Sequence, residues 1–129
     1  MQSNPISDAL TLIKNAEHSG KMVCEVRPAS NLLGRILKVM QENGYIGLYE
    51  YVENGRGGVF RVNLKGRINK CGAIKPRLSV RLVNMEKFES RYLPAQNFGV
   101  LILTTTAGIV SHKTAKDKGI GGKLLAYVY

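Results

Sequence analysis

Three consecutive threonines, Thr104, Thr105 and Thr106, precede Ala107 and Gly108 at the end of a strongly apolar stretch. Hydroxyl groups and accessible backbone at the exit of a strand can hydrogen-bond to ribose hydroxyls, phosphates and base edges, which are contacts typical of RNA recognition. Threonine is also common in strands and turns for purely conformational reasons, and residue propensity alone favours that second interpretation.

The glycine-rich segment before Lys123 does not match a nucleotide-binding motif. A P-loop needs a glycine five residues before Gly122, where Asp117 stands, and a serine or threonine after the lysine, where Leu124 stands. A dinucleotide-binding fingerprint, Gly-x-Gly-x-x-Gly, would need its third glycine at position 124, where the same leucine stands. We therefore expect Gly121 and Gly122 to form a turn or to permit the close approach of a partner.

The histidines and cysteines form no metal-binding or catalytic pattern. Cys24 and Cys71 are not part of a Cys-x-x-Cys pair, so we expect two buried or half-buried thiols in a reducing compartment. His112 follows Ser111 directly, but neighbours in sequence rarely face each other, and Asp117 could orient the ring only from the same helical turn. We expect His112 to be exposed to solvent, and we predict no cofactor, no metal site and no catalytic residue.

The 129-residue chain has a net charge of +10, and the positive charge is concentrated in its second half. Residues 1–64 contain seven basic and six acidic residues, whereas residues 65–129 contain twelve and three. Segment 65–81 alone has six Lys and Arg residues and no acidic residue. This asymmetry indicates a polyanionic partner. Nucleic acid is the leading candidate, because each neutralised phosphate releases counterions, and a membrane surface or a merely solvated face is a weaker alternative.

Composition and hydropathy indicate a folded protein that stays in the cytoplasm. The chain is 44% apolar and 22% charged, which is ordinary for a globular protein. No apolar run approaches the roughly 20 residues that span a bilayer, and the first residues lack the pattern of a secretory signal. We therefore expect no membrane partner.

The first half of the chain predicts two helices and three strands. Asn4 can cap a helix that has Pro5 at its first position, and Gly20 ends the helical spacing of apolar residues. The further predicted elements are a strand over 22–27, a helix from the Ser30 cap to Asn43-Gly44, and strands over 45–52 and 59–64 joined by a glycine-rich turn.

The second half is richer in strands. In residues 77–82, leucine and valine alternate with arginine and serine, which predicts a strand with one apolar and one basic face. The other predicted elements are a helix over 85–92, a strand over 98–105, a helix over 113–118 between a Ser111 cap and Gly119, and a strand over 123–129, with 66–72 as a basic connector. The chain is thus predicted to be α+β. Its N-terminal α/β lobe (1–68, order α-β-α-β-β) packs against a β-rich C-terminal lobe with short helices (69–129).

Five segments, in order, resemble the family of small-subunit ribosomal protein number eight, in its archaeal and eukaryotic branch. The resemblance covers essentially the whole chain. Its segments are Asn-Gly-Tyr-Ile-Gly at 43–47, Asn-Leu-Lys-Gly-Arg-Ile-Asn-Lys at 63–70, Cys-Gly-Ala-Ile-Lys-Pro-Arg at 71–77, Thr-Thr-Thr-Ala-Gly-Ile-Val-Ser-His at 104–112 and Gly-Gly-Lys-Leu-Leu-Ala-Tyr-Val at 121–128. The resemblance implies a non-enzymatic protein of the small ribosomal subunit. It would bind a helix in the central domain of 16S-type ribosomal RNA and support assembly of that region.

The resemblance also implies which groups bind. The hydroxyls would discriminate the RNA, the paired glycines would permit close approach, and the cations would neutralise phosphates. The predicted RNA-binding residues are Thr104, Thr105, Thr106, Gly108, Gly121, Gly122, Lys123, Lys75, Arg77, Arg81, Lys113 and Lys116, with a secondary contact at the helix start Asn4 and Pro5 and at the corner that holds Arg27 and Ser30. Neighbouring small-subunit ribosomal proteins are further expected partners, and no small-molecule substrate is expected.

Two positions depart from the bacterial pattern of this family. Ala107 stands where bacterial members typically have lysine in a Ser-Thr-Ser-Lys-Gly loop, so the hydroxyls are kept and one cationic contact is lost. Lys123 stands where bacterial members tend to have an acidic residue. The aromatic end, Tyr127 and Tyr129, is typical of the archaeal and eukaryotic branch, and we expect both rings to be neutral and packed.

Two rival hypotheses belong to other functional classes. A small enzyme acting on an anionic metabolite could use the basic cluster as a clamp, but the sequence offers it no credible nucleophile or general base. A DNA-binding protein could use the first two helices as a helix-turn-helix, but a strand is predicted between them. The second helix would also offer only Arg35 and Lys38 as base-reading side chains. Co-purification with nucleic acid that is released at high salt separates the RNA-binding hypothesis from the enzyme, and preference for RNA over DNA of the same sequence separates it from the DNA-binding protein.

Overall fold

The computed structural model describes residues 5–27, 29–75, 77–95 and 98–129. Within them the chain forms four α-helices and eight strands in two antiparallel sheets, which confirms the predicted α+β class. The helices are α1 (Pro5–His18), α2 (Asn31–Glu42), α3 (Met85–Tyr92) and α4 (His112–Lys118). The strands are β1 (Val23–Val26), β2 (Ile46–Val52), β3 (Val59–Leu64), β4 (Cys71–Ala73), β5 (Ser79–Val80), β6 (Val100–Thr105), β7 (Gly108–Ser111) and β8 (Gly122–Val128).

The first half of the chain has the predicted order of elements, α-β-α-β-β. Its three strands form a sheet in the order β1-β3-β2, and one face of each helix is buried. Ser30 caps α2, because its Oγ accepts a hydrogen bond from the Leu33 N–H at 3.1 Å. The apolar residues predicted to face the core along α1 are all buried: Ile6, Ala9, Leu10, Ile13 and Ala16.

The second sheet is organised around β8. One edge of β8 pairs with β6, which pairs in turn with β7. The other edge is shared, since β4 pairs with residues 126–128 and β5 with residues 122–123. The two ends of β8 therefore have different neighbours.

The hydrophobic core lies on both faces of this second sheet. Alternate residues of β6 point to opposite faces. Ile102 packs in the cluster that contains α1 and α2, whereas Leu101 and Leu103 pack in the cluster that contains Met85 of α3 and Ala115 of α4. The first half of the chain thus shares its core with the second sheet, and this shared core fixes the position of the sheet.

Three elements of the second half differ from the prediction, and one of them is strand β7 (Gly108–Ser111), a segment that the sequence predicts as a loop. The strand predicted over 77–82 is only Ser79–Val80, and Leu82 begins a 3₁₀ turn with 40% of its surface exposed. The reason is pairing, because β8 begins at Gly122 and offers β5 only two partners. The last two residues of the predicted connector, Cys71 and Gly72, belong instead to strand β4.

The ends of α4 and the packing of the C-terminal aromatic residues confirm the predictions. Ser111 caps α4 by accepting a hydrogen bond from the Thr114 N–H at 3.2 Å. Gly119 ends the helix at φ 68°, a left-handed conformation that favours glycine. Tyr127 and Tyr129 stack on each other, with 6.3 Å between their ring centroids.

Candidate nucleic-acid interface

The threonine-rich segment is a tight hairpin. Thr105 at the end of β6 pairs with Gly108 at the start of β7, so Thr106 and Ala107 form a two-residue turn. Gly108 has a φ of 101°, which a residue with a side chain rarely adopts. We refer to residues 104–108 as the threonine hairpin.

The three hydroxyls of the hairpin have different surroundings. The Thr105 hydroxyl donates to the Gly108 carbonyl oxygen at 2.8 Å and accepts from the Ala107 N–H at 3.1 Å, so its one proton is already used. Thr104 is half-buried. Thr106 is exposed at the tip, and none of the described hydrogen bonds involves its hydroxyl. Thr106 is therefore the hydroxyl best placed to donate to a partner.

A row of polar side chains crosses the sheet beside the hairpin. Lys123 of β8 pairs with Thr104 of β6 on one side and with Ser79 of β5 on the other. Paired residues in a sheet project from the same face, so the ammonium-bearing chain of Lys123 lies next to the first threonine of the hairpin. Lys123 and Ser79 are both exposed.

The paired glycines let strands of this sheet approach one another closely. A Cβ built on Gly122 would collide with the carbonyl oxygen of Thr104, and one on Gly121 would collide with that of Val80. A Gly121 Cβ would also lie 3.1 Å from the Cα of Arg81. The lack of side chains at these glycines therefore lets the hairpin, β8 and the residue after β5 lie in close contact at one end of the sheet.

Three further predicted cations lie on the segment that follows β4. Lys75, Arg77 and Arg81 are all exposed, and Arg81 comes directly after β5. Because β5 pairs with the same end of β8 that touches the hairpin, Arg81 lies at the glycine pair. Hydroxyls, a close-packed backbone and exposed cations thus meet at this end of the second sheet. Such an arrangement is suited to binding phosphate and ribose groups.

Comparison with known proteins identifies the family. The family model of ribosomal protein S8 matches residues 4–129. The chain is 56% identical over 126 residues to small ribosomal subunit protein uS8 of Methanococcoides burtonii, across 98% of this chain and 97% of that protein. It is 58% identical over 129 residues to small ribosomal subunit protein uS8 of Picrophilus torridus, across the full length of both. The chain belongs to the ribosomal protein S8 family.

The two predicted cations of α4 are not equivalent in this member of the S8 family. Lys113 is exposed in the first turn. Lys116 forms an ion pair with Glu89 of α3, with 2.6 Å between Nζ and Oε2. Its side chain is 35% exposed, so Lys116 holds α4 against α3 and offers less charge to a partner than Lys113 does.

The prediction that His112 is exposed is wrong. Its side chain is 2% exposed and lies between β6 and α3. The Leu101 N–H donates to His112 Nδ1 at 3.0 Å, so Nδ1 carries no proton, and Nε2–H donates to Glu89 Oε1 at 3.1 Å. Burial lowers the pKa of His112, and the charge of Glu89 only partly opposes that effect. We refer to His112, Glu89 and Lys116 as the His112 cluster.

The same contacts remove the catalytic alternative at this position. The Ser111 hydroxyl donates to Thr114 Oγ1 at 3.2 Å and caps α4, and both ring nitrogens of His112 are bonded to groups other than Asp117. No signal in the sequence pointed to this burial, because Glu89 and Leu101 are far from His112 along the chain and only the fold brings them together.

The predicted secondary contact is only partly described. Pro5 is the first residue of α1, whereas Asn4 lies outside the described residues. Arg27 is exposed after β1, and the Ser30 side chain is occupied as the cap of α2. None of the described hydrogen bonds links these residues to the threonine hairpin, so the structure does not join the two predicted contacts into one site.

The cysteines are buried as predicted. Cys71 is 3% exposed and its Sγ donates to the Leu10 carbonyl oxygen at 3.3 Å, while Cys24 is 9% exposed. Burial raises the pKa of the Cys71 thiol to about 12. In the described part of the chain, no three His, Cys, Asp or Glu residues are grouped as metal ligands would be. Among the same residues, no helix is both long and apolar enough to cross a bilayer.

Proposed function

We propose that this protein is a non-enzymatic structural component of the small ribosomal subunit that binds ribosomal RNA through its C-terminal lobe. Its relatives at 56% and 58% identity are small ribosomal subunit proteins, and this relationship supports placing it on cytoplasmic ribosomes. The RNA partner is a helix in the central domain of 16S-type ribosomal RNA, and the protein supports assembly of that region beside neighbouring ribosomal proteins.

The observation that carries this proposal is the meeting of the threonine hairpin, Lys123 and Arg81 at one end of the second sheet. In RNA binding, cations supply affinity that does not depend on sequence, whereas hydroxyls and backbone groups at a fixed position can discriminate shape and ribose. The position of the hairpin is fixed because the Thr105 hydroxyl bonds within the turn and Gly122 lets β8 pack closely against Thr104.

In this proposal the lobes have different tasks. Residues 69–129 bind the RNA helix, and residues 1–68 form the other side of the shared core and offer the secondary contact at Arg27 and Ser30. Lys75, Arg77 and Lys113 neutralise phosphates, because they are exposed and none forms an ion pair with another described residue. Binding should therefore weaken as salt concentration rises.

A hydroxyl-radical footprint of the full chain on naked small-subunit ribosomal RNA tests the proposal. We expect protection within one helical region of the central domain, and weaker binding to DNA of the same sequence. Lys75→Gln should weaken binding to all RNAs alike and reduce the salt slope by about 0.9, while leaving the footprint in place. Protection outside the central domain, or equal binding to DNA, would contradict the proposal.

A further inference from the structure

A second basic surface lies where α1 ends. The turn that follows α1 meets the loop that follows β3, and the Leu64 N–H donates to the Met22 carbonyl oxygen at 2.8 Å. Between the two segments lies an open cleft with a volume of about 530 Å³. We call it the connector cleft, and its polar and glycine lining is Glu17, Gly20, Lys21, Lys65, Gly66 and Arg67.

The loop that supplies two of these cations is held at several points. His18 Nε2 lies 2.9 Å from the Asn69 carbonyl oxygen, and the N–H groups of Asn69 and Lys70 donate to the Tyr129 carbonyl oxygen at 2.7 and 3.0 Å. Ile68 is buried. A loop fixed in this way loses little conformational freedom when its side chains bind a partner, which favours affinity.

The cleft has an excess of positive charge. Lys21, Lys65 and Arg67 are exposed, and none forms an ion pair with another described residue. Glu17 is the acidic residue of the lining, and burial raises the pKa of its carboxyl, an effect that the nearby Gly66 backbone N–H opposes. Lys21 lies just beyond the C-terminal end of α1, where a cation is favoured, but the dipole of α1 does not account for the two further cations placed after β3.

The connector cleft and the threonine hairpin lie at opposite ends of β8. Tyr129, which bonds to the connector, follows the last residue of the strand, whereas Gly122 at its first residue touches the hairpin. β8 has seven residues. At about 3.3 Å per residue, the two surfaces are separated by roughly 20 Å along the strand.

We propose that the connector cleft binds the phosphate backbone of a second stretch of ribosomal RNA, distinct from the one bound at the threonine hairpin. RNA is the partner of choice because the chain belongs to a ribosomal family and the three exposed cations are arranged in a fixed cleft. The protein then bridges two RNA stretches. This inference rests on the proposed ribosomal RNA-binding function, but it uses none of the hairpin residues and can stand if the hairpin assignment fails.

Directed hydroxyl-radical probing tests where the cleft lies on RNA. An iron chelate is attached to Lys65→Cys in one sample and to Thr106→Cys in another, and each is bound to naked small-subunit ribosomal RNA. The native Cys24 and Cys71 are buried, which leaves the new thiol as the reactive one. We expect the Lys65→Cys chelate to cleave nucleotides that the Thr106→Cys chelate does not reach. Absence of cleavage from position 65, or cleavage of the same nucleotides from both, would overturn the proposal.

Salt dependence provides a second measurement with a charge-matched control. The triple variant Lys21→Gln, Lys65→Gln and Arg67→Gln should reduce the slope of log affinity against log salt by about 2 to 3, at 0.7–0.9 per phosphate. The control variant Arg35→Gln, Lys38→Gln and Arg56→Gln removes the same charge from other exposed positions and should change the slope much less. Equal changes in both variants would show that only net charge matters and would overturn the proposal.

The two experiments distinguish failure of this inference from failure of the proposed function. Cleavage from position 65 without cleavage from position 106 would support the cleft and contradict the hairpin as an RNA contact. An acidic protein segment in the cleft would give no RNA cleavage from position 65, and that result would contradict the inference alone.

Discussion

The threonine hairpin and the His112 cluster flank the same strand, β7, yet they use polar groups in opposite ways. In the hairpin, one hydroxyl holds the turn and Thr106 is left exposed at the tip. In the cluster, Glu89 pairs with both His112 and Lys116, and His112 also accepts a hydrogen bond from the Leu101 backbone N–H. The difference teaches that a polar or basic residue near a binding loop is available to a partner only if the fold has not already used it.

The largest expected effect is on the cluster. His112→Phe removes the acceptor of the Leu101 N–H and the donor to Glu89 Oε1. The buried Leu101 N–H would be left unpaired, and Glu89 would keep only its ion pair with Lys116. We expect the free energy of unfolding to fall by about 3 kcal/mol, measured by urea denaturation. His18→Phe, at an exposed position with one hydrogen bond, is the control and should change stability by less than about 1 kcal/mol. Equal losses would contradict the structural role of the cluster.

The next effect concerns the strand contact that positions the hairpin. Gly122→Ala forces a Cβ against the Thr104 carbonyl oxygen, so we expect a loss of about 1–3 kcal/mol in stability, together with weaker RNA binding. Gly47→Ala is the matched control, because a Cβ there would make an ordinary 3.4 Å contact with Asn63. If both variants were equally stable, close approach of β8 to β6 would not explain the glycine.

A smaller effect follows from pH. Because burial lowers the pKa of His112 below 6.5, the unfolded chain takes up this proton first as pH falls. The contribution to stability is complete above pH 6.5 and is lost as pH falls toward the folded-state pKa. Glu89 opposes this loss, while Lys113 and Lys116 add to it.

The measurement is urea denaturation at several pH values between about 7.5 and 5, with a slope from this single proton of at most about 1.4 kcal/mol per pH unit. His112→Phe should show a shallower dependence than the unmodified chain. The same dependence in both proteins would exclude His112 as its source.

The smallest effect distinguishes the two lysines of α4. Lys113→Gln removes an exposed charge, so the salt slope of RNA binding should fall by about 0.9 with little change in stability. Lys116→Gln leaves Glu89 without its ion pair to a lysine. It should therefore lower the free energy of unfolding more than Lys113→Gln does, and lower the salt slope less. The reverse result would show that Lys116, rather than Lys113, faces the RNA.

Local signals in the sequence predicted much of this fold. Helical spacing, the caps Ser30 and Ser111, and the helix end at Gly119 depend on residues close in sequence, and the structure confirms each of them. β4 could not be predicted in this way, because its three residues form a strand only by pairing with β8.

The site was predictable where it depends on neighbouring residues and not where it depends on distant ones. The threonine triplet and the glycine pair are visible as types and spacing, although the sequence did not show that the glycines contact the protein's own β5 and β6. The burial of His112 and the pairing of Lys116 depend on Glu89 of another helix. Tertiary packing decides such contacts, and the charge pattern along the chain does not contain them.

The central claim is that the threonine hairpin discriminates among RNAs, and Thr106→Val tests it most directly. This change keeps the shape of the side chain and removes the exposed hydroxyl at the tip. Affinity is measured for the cognate central-domain helix and for a scrambled helix, with Thr11→Val on α1 as the control. We predict a loss of about 1–3 kcal/mol for the cognate helix and little change for the scrambled one. Equal losses on both helices would contradict the claim.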